Sequence, residues 1–67
     1  MNESQLPDTG FVRLAQILRV LPISKSFWWK GVGAGRLPQP IRFGRITFWR
    51  AEEIQALLRQ ITEEGRQ

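Results

Sequence analysis

Glycine and proline divide this 67-residue chain into short elements, which limits the folds open to it. Residues 31–40 contain three glycines and two prolines. Each glycine weakens a helix by ~1 kcal/mol relative to alanine, and proline fits neither a helix interior nor a central strand. Gly35 is the predicted left-handed residue after a helix. At this length folding buries only ~60% of the surface of the unfolded chain, so we expect one small domain.

Two amphipathic helices are predicted on either side of Pro22. The first has its apolar residues at the spacing of one helix face, namely Leu14, Ile17, Leu18 and Leu21. It ends before Pro22, which lacks the amide hydrogen. The second begins after Ser24, whose side-chain oxygen can cap the first free amides, and turns Trp28 and Val32 inward. Two helices joined this closely predict a helix-turn-helix.

Residues 41–49 predict a β-hairpin around Gly44 and Arg45, because glycine in the first loop position suits a type II′ turn. The register that separates apolar from polar side chains pairs Phe43 with Ile46. Its apolar face, which we expect to be half-buried, contains Ile41, Phe43, Ile46 and Phe48. Arg42 and Thr47 take the other face, with Trp49.

A third helix follows from residue 51, with one apolar face and an acidic first turn that suits the helix dipole. That face contains Ile54, Leu57, Leu58 and Ile61. The predicted fold class is mainly α with a small β-hairpin: a winged helix-turn-helix of three helices and a two-stranded wing. We assign residues 1–10 to a flexible N-terminal tail and residues 11–64 to the winged-helix domain.

The charge is distributed very unevenly. Residues 11–50 contain eight basic residues and no Asp or Glu, whereas the whole chain has a net charge of +4. A segment without carboxylates cannot form internal salt bridges, so its charge is available to an outside polyanion such as nucleic acid. The alternative interpretation is a solvated basic surface without a partner.

Other functional classes find little support in the composition. The chain has no Cys and no His, so it lacks the usual ligands of zinc, and we expect no metal and no other cofactor. Neither Ser24 nor Ser26 has a base in prospect, so we expect no enzyme and no small-molecule substrate. No apolar run suits a membrane span and the N-terminus does not resemble a signal peptide, so we expect a cytoplasmic protein.

The chain contains several separately spaced motifs: Phe-Val-Arg-Leu from Phe11, Ile17-Leu18, Pro-Ile-Ser-Lys-Ser-x-Trp-Trp from Pro22, Gly-Arg-Leu-Pro-Gln-Pro-Ile from Gly35, Gly44-Arg45, Trp49-Arg50 and Glu53-Ile54. Together they resemble the AlpA family of phage regulatory proteins, which belongs with the small MerR-like and excisionase-like winged helices. The resemblance covers residues 11–62. It implies sequence-specific binding of double-stranded DNA by a prophage or mobile-element protein that regulates transcription, acts as an excisionase, or does both. Several copies are expected side by side on DNA.

The same resemblance implies a DNA-contacting set on the second helix, after it and on the wing: Ser24, Lys25, Ser26, Trp29, Lys30, Arg36, Arg42 and Arg45. Arg36 is expected to clamp a phosphate, and Arg45 matches the basic residue at the tip of the family's wing. Here Gly44 and Arg45 adjoin, so the wing is shorter than in many members.

Alternatives stay open for several of these side chains. Trp29 either stacks on the DNA backbone or covers a neighbouring helix. Phe27 either contacts a thymine methyl group or another protein molecule. The second functional class is therefore an interaction adaptor or anti-repressor that binds an acidic protein partner through Phe27, Trp29 and the basic face.

Overall fold

The computed structural model describes residues 6–66, which form three helices and three strands. In chain order these are β1 (Phe11–Val12), α1 (Leu14–Val20), α2 (Lys25–Gly33), β2 (Ile41–Phe43), β3 (Ile46–Arg50) and α3 (Ala51–Gly65). Helix, turn, helix, hairpin and helix therefore follow one another as predicted, with one additional strand before them.

The three strands form an antiparallel sheet in the order β1-β3-β2. The predicted hairpin register is confirmed, with Phe43 opposite Ile46. Gly44 has a φ of 63°, and no described residue other than glycine has a positive φ, which agrees with glycine at the first position of a II′ turn. The prediction of a two-stranded wing is incomplete, because β1 pairs with β3 and places Val12 opposite Trp49.

The prediction that the apolar face of the hairpin is half-buried is wrong. Side chains alternate between the two faces of a strand, and on β3 it is Trp49 that is fully buried while Ile46 is exposed. We call the face with Trp49 and Val12 the inner face and the face with Phe43 and Ile46 the outer face. The helices cover the inner face, where Trp49 and Val12 join the core formed with Trp28, Ile17 and Ile54.

The two short helices form as the sequence predicts. Ser24 caps α2: its Oγ accepts a hydrogen bond from the backbone N–H of Phe27 at 3.1 Å. Trp28 and Val32 are buried. The helix ends at Gly33, and Gly35, with a φ of 78°, takes the left-handed conformation that lets the chain turn toward Pro38.

The third helix packs through the first half of its apolar face. Ile54 and Leu57 are buried, and Leu58 packs against the core, whereas Ile61 in the later turns is exposed. In residues 6–66 no helix has the length and apolarity needed to cross a bilayer.

Trp49 lies at the centre of the core. Its ring meets that of Trp28 edge to face, with centroids 5.5 Å apart, and its Nε1 donates a hydrogen bond to the carbonyl oxygen of Pro38 at 2.9 Å. Val12, Ile17 and Ile54 are the other large side chains that are fully buried around the two tryptophans, and the small Ala51 is fully buried as well. The indole of Trp49 thus fills apolar volume while its Nε1 is hydrogen-bonded, whereas the buried Nε1 of Trp28 has no hydrogen-bond partner within residues 6–66.

Part of the segment expected to be a flexible tail packs against the domain. Leu6 is buried in the core, and the carbonyl oxygen of Pro7 accepts a hydrogen bond from Gln55 Nε2 at 3.2 Å. The backbone N–H of Ala51 donates to the carbonyl oxygen of Gly10 at 2.8 Å. Residues 6–10 are therefore structural parts of the domain, and residues 1–5 of the predicted tail lie outside the described residues.

Candidate nucleic-acid interface

The face of α2 that the core does not use is polar and basic. Trp28 and Val32 are one turn apart and point inward, so the intervening positions must point outward. Ser26 and Lys30, also one turn apart, lie opposite the buried residues. All eight predicted contact residues are exposed: Ser24, Lys25, Ser26, Trp29, Lys30, Arg36, Arg42 and Arg45.

Ser24 has a structural task as well. Its side-chain oxygen accepts the hydrogen bond that caps α2, which fixes the oxygen and leaves the hydroxyl proton and one lone pair for an outside partner. Ser26, two residues later, makes no side-chain hydrogen bond within residues 6–66 and has its whole hydroxyl available. Of the two serines, Ser26 is therefore the better candidate for a phosphate or base contact.

Trp29 was predicted either to stack on the DNA backbone or to cover a neighbouring helix, and its position in the structure allows both a packing contact and an outside contact. Its ring packs against Trp49 with centroids 5.7 Å apart, yet 37% of the residue is exposed. It borders a groove of about 450 Å³ between α2, the start of α1 and β3. One side of the indole thus anchors α2 to the sheet, and another remains open to a ligand along this groove.

Three polar residues beside Trp29 were not predicted as part of the interface. Arg13, Gln16 and Thr47 line the same groove. Gln16 Oε1 accepts a hydrogen bond from the backbone N–H of Arg13 at 2.8 Å, which holds both residues at the start of α1. No local pattern marks them, because they meet Trp29 only when the sheet packs against the helices.

The hairpin contributes two arginines: Arg42 on the inner face of the sheet and Arg45 at the tip. Arg42 pairs with Thr47 across the strands, and both belong to the inner face. Arg45 follows Gly44 in the turn and is exposed. Since Thr47 also borders the groove with Trp29, the inner face of the hairpin continues the surface formed by α2.

Arg36 lies at a different groove. With Lys30 and Phe27 it borders an apolar groove of about 580 Å³ between α2 and α3. Its backbone N–H donates to the carbonyl oxygen of Gly31 at 2.9 Å, which fixes the chain just after the helix. The predicted contact residues therefore flank α2 on two sides and do not form one compact cluster.

Seven of the eight basic residues at positions 11–50 have no carboxylate partner within residues 6–66. All eight are exposed, and Arg50 forms an ion pair with Glu52, in which Nε lies 3.7 Å from Oε1. Glu52 lies in the first turn of α3. A backbone hydrogen bond, aided by a hydrogen bond from Thr9 and the charge of Arg50, lowers the pKa of Glu52. The positive charge of α2 and the hairpin thus remains uncompensated within the domain.

Comparisons with known proteins identify no relative. No protein-family model matches the chain, and neither the curated proteins nor the solved structures contain a match.

Proposed function

We propose that this protein binds double-stranded DNA through the exposed face of α2 and the inner side and tip of the β2–β3 hairpin. The role we propose is that of a transcriptional regulator or excision factor of a prophage or mobile element, acting in the cytoplasm. That role and the winged-helix assignment follow from the resemblance to the AlpA family. Binding itself is argued from the residues below.

The observation that carries the proposal is the uncompensated charge. Residues 11–50 contain eight basic side chains and no Asp or Glu, and all eight side chains are exposed. Within residues 6–66 only Arg50 has a carboxylate partner, Glu52. A duplex offers closely spaced phosphates, and each one neutralised by Lys or Arg releases condensed counterions. Lys25 and Lys30 supply such contacts from α2, and Arg45 supplies one from the hairpin tip.

The geometry of α2 also suits a groove. Its outer face presents the small Ser26 beside Lys30, so no bulky side chain at this position prevents close approach. Trp29 on the flank presents an aromatic surface that packs against sugar and phosphate. A short helix with Ser26 and Lys30 on its outer face, Trp28 buried beneath and the exposed Phe27 and Trp29 on its flanks is suited to lie in the major groove.

Selection of bound sequences from a random duplex pool, followed by a salt titration on the selected duplex, tests the proposal. We expect one sequence to be preferred, and log K to fall linearly with log salt by about 0.9 for each phosphate contact. Lys25→Gln and Lys30→Gln together should lower that slope by about 2. A flat salt response of the unsubstituted protein would contradict DNA binding.

A matched control separates contact from net charge. Arg59→Gln together with Arg66→Gln removes one positive charge from α3 and one from its C-cap residue, both outside the acid-free segment. We expect this control to leave the salt slope almost unchanged. An equal loss in both double variants would show that only the overall charge attracts DNA.

A second candidate function has its own support in the groove between α2 and α3. Phe27 is 61% exposed at its border, beside Lys30 and Arg36. Lys30 and Arg36 give the α2 side of this apolar groove a positive charge, and Glu64 lies on the α3 side. The α2 side suits an acidic protein segment, as an adaptor or anti-repressor would bind. Binding of an acidic host protein that is lost in Phe27→Ala, with no shift of any duplex, would favour this function.

A further inference from the structure

The groove of about 450 Å³ between α2, the start of α1 and β3 presents hydrogen-bond donors beside aromatic rings. Its polar lining residues are Arg13, Gln16 and Thr47, and its aromatic ones are Trp29 and Trp49. Among residues 6–66 no Asp or Glu borders it. A groove with a guanidinium, further donors and no carboxylate favours an anionic ligand.

The donors of these polar side chains are unused within the domain. Gln16 Oε1 already accepts the backbone N–H of Arg13 at 2.8 Å, so its amide NH₂ group is what remains for a ligand. Thr47 is half-buried, and its hydroxyl makes no hydrogen bond within residues 6–66. The exposed Arg13 has no carboxylate partner in the same part of the chain. All three side chains therefore gain hydrogen bonds when a ligand with acceptor oxygens enters the groove.

The position of the groove identifies the anion. A helix with its side chains is ~10–12 Å across, and the DNA major groove is ~12 Å wide. A helix in the major groove therefore has a sugar–phosphate strand along each flank. Trp29 forms the flank of α2 on this side, next to the outward-facing Ser26 and Lys30.

We infer that one strand of a bound duplex runs along this groove, with a phosphate held by Arg13 and Thr47 and the adjoining deoxyribose against the indole of Trp29. The inference rests on the proposed DNA binding and adds the start of α1 to the interface formed by α2 and the hairpin. The planar fork of an arginine donates two parallel hydrogen bonds to one phosphate. The hydroxyl of Thr47 and the amide of Gln16 add donors on either side of it.

The backbone of Arg13 is fixed before any ligand binds. Val12, the preceding residue, is buried in the core and pairs with Trp49 across the sheet. The hydrogen bond to Gln16 holds the N–H of Arg13 itself. Binding a phosphate therefore orders only the Arg13 side chain, which reduces the entropic cost of the contact.

Neutralising single phosphates of the selected duplex tests this inference. Each duplex carries a neutral methylphosphonate at one position, and its affinity is measured for the unsubstituted protein and for Arg13→Gln. At one position we expect the unsubstituted protein to lose about tenfold and Arg13→Gln to lose less than about twofold. On the unmodified duplex Arg13→Gln should bind about tenfold more weakly and lower the salt slope by about 1.

Arg19→Gln is the matched control for charge. Arg19 is exposed on the same helix, belongs to the same acid-free segment and borders neither of the two grooves beside α2. We expect this control to leave the salt slope and the effect of each methylphosphonate unchanged. Arg13→Lys keeps the charge and loses the fork, so it should keep the slope and lose part of the affinity. Thr47→Val removes one hydroxyl and should weaken binding about fivefold at an unchanged slope.

Two outcomes would overturn this inference and leave DNA binding in place: equal weakening by Arg13→Gln and Arg19→Gln, or an effect of every methylphosphonate that is the same in Arg13→Gln as in the unsubstituted protein. Failure of the unsubstituted protein to bind any duplex would overturn the proposed function and this inference together. If Arg13→Gln lowers the melting temperature, Arg13→Ser replaces it with the same expected loss, because serine suits this N-cap position of α1.

Discussion

The two serines of α2 allow a test that separates structural from DNA-contacting roles. Ser24 and Ser26 are both exposed and only two residues apart. Ser24 Oγ accepts the N–H of Phe27 at 3.1 Å, whereas Ser26 makes no such bond within residues 6–66. Replacing each in turn by alanine removes one hydroxyl and changes no charge. We expect Ser24→Ala to lower stability and Ser26→Ala to lower DNA affinity.

The magnitude for Ser24→Ala follows from the cap. Loss of a serine N-cap costs about 1 kcal/mol, within a range of about 0.5–2 kcal/mol. For 67 residues the entropy of unfolding near the midpoint is ~0.14 kcal/mol/K, so the melting temperature should fall by about 7 °C. Ser26→Ala places the best helix former at an exposed helical position and should raise stability by at most about 0.5 kcal/mol.

Thermal unfolding followed by circular dichroism at 222 nm measures the first effect, and titration with the selected duplex at fixed salt measures the second. For Ser26→Ala we expect a loss of about 1 kcal/mol of binding, the usual net value of a hydrogen bond. For Ser24→Ala the affinity, measured well below its melting temperature, should change less. The structural reasoning is refuted if Ser24→Ala melts with the unsubstituted protein or if Ser26→Ala destabilises the chain equally.

Three further predictions concern the scaffold. A Cβ on Gly31 would lie 2.6 Å from Leu37 Cδ1, whereas one on Gly33 meets nothing within 4 Å. Chemical denaturation should therefore show Gly31→Ala destabilised by ~1–2 kcal/mol and Gly33→Ala unchanged or slightly stabilised. Trp49→Phe loses the hydrogen bond of its indole and should cost ~1–3 kcal/mol by the same assay. The pKa of Glu52 is lowered in the folded state, so its ionised carboxylate stabilises the fold at pH values above the ordinary pKa of 4.5. This stabilisation is lost as the pH falls through the pKa of the folded state. Glu52→Gln should therefore flatten the dependence of the unfolding free energy on pH in this range.

Features determined by neighbouring residues were predictable from the sequence. The cap at Ser24, the inward direction of Trp28 and the left-handed Gly35 each depend on a few adjacent positions, and all are confirmed. The hairpin register is also confirmed, because a two-residue turn starting at Gly44 fixes which strand positions face each other.

Which face of the hairpin is buried could not be predicted from neighbouring residues. Strand periodicity separates two faces but does not say which of them meets the helices. Here the face with more apolar residues is the outer one, and the inner face is chosen by Trp49 together with Val12 of β1. The pairing of β1 with β3 joins residues about 38 positions apart, and no local pattern encodes it.

In the candidate interface too, some features depend on neighbouring residues and others on packing between distant segments. The exposure of Ser26 and Lys30 follows from the burial of Trp28 and Val32, which the helical period already predicts. Lys25 shares the side of Trp28 by that period and is exposed as the first residue of α2. The groove beside Trp29 does not follow from the helical period, since Arg13 and Thr47 reach this place through the sheet.

Trp49 connects the two surfaces of the molecule. On the inner face its indole contacts both tryptophans of α2, and these contacts set the distance between the basic helix and the sheet. On the same strand, Phe48 points to the outer face and contacts Phe11. A strand with large aromatic residues in both directions requires cover on both faces, yet the helices cover only one. The exposed side is therefore as much a product of this sequence as the basic helix, and a chain selected only for solubility would have placed polar residues there.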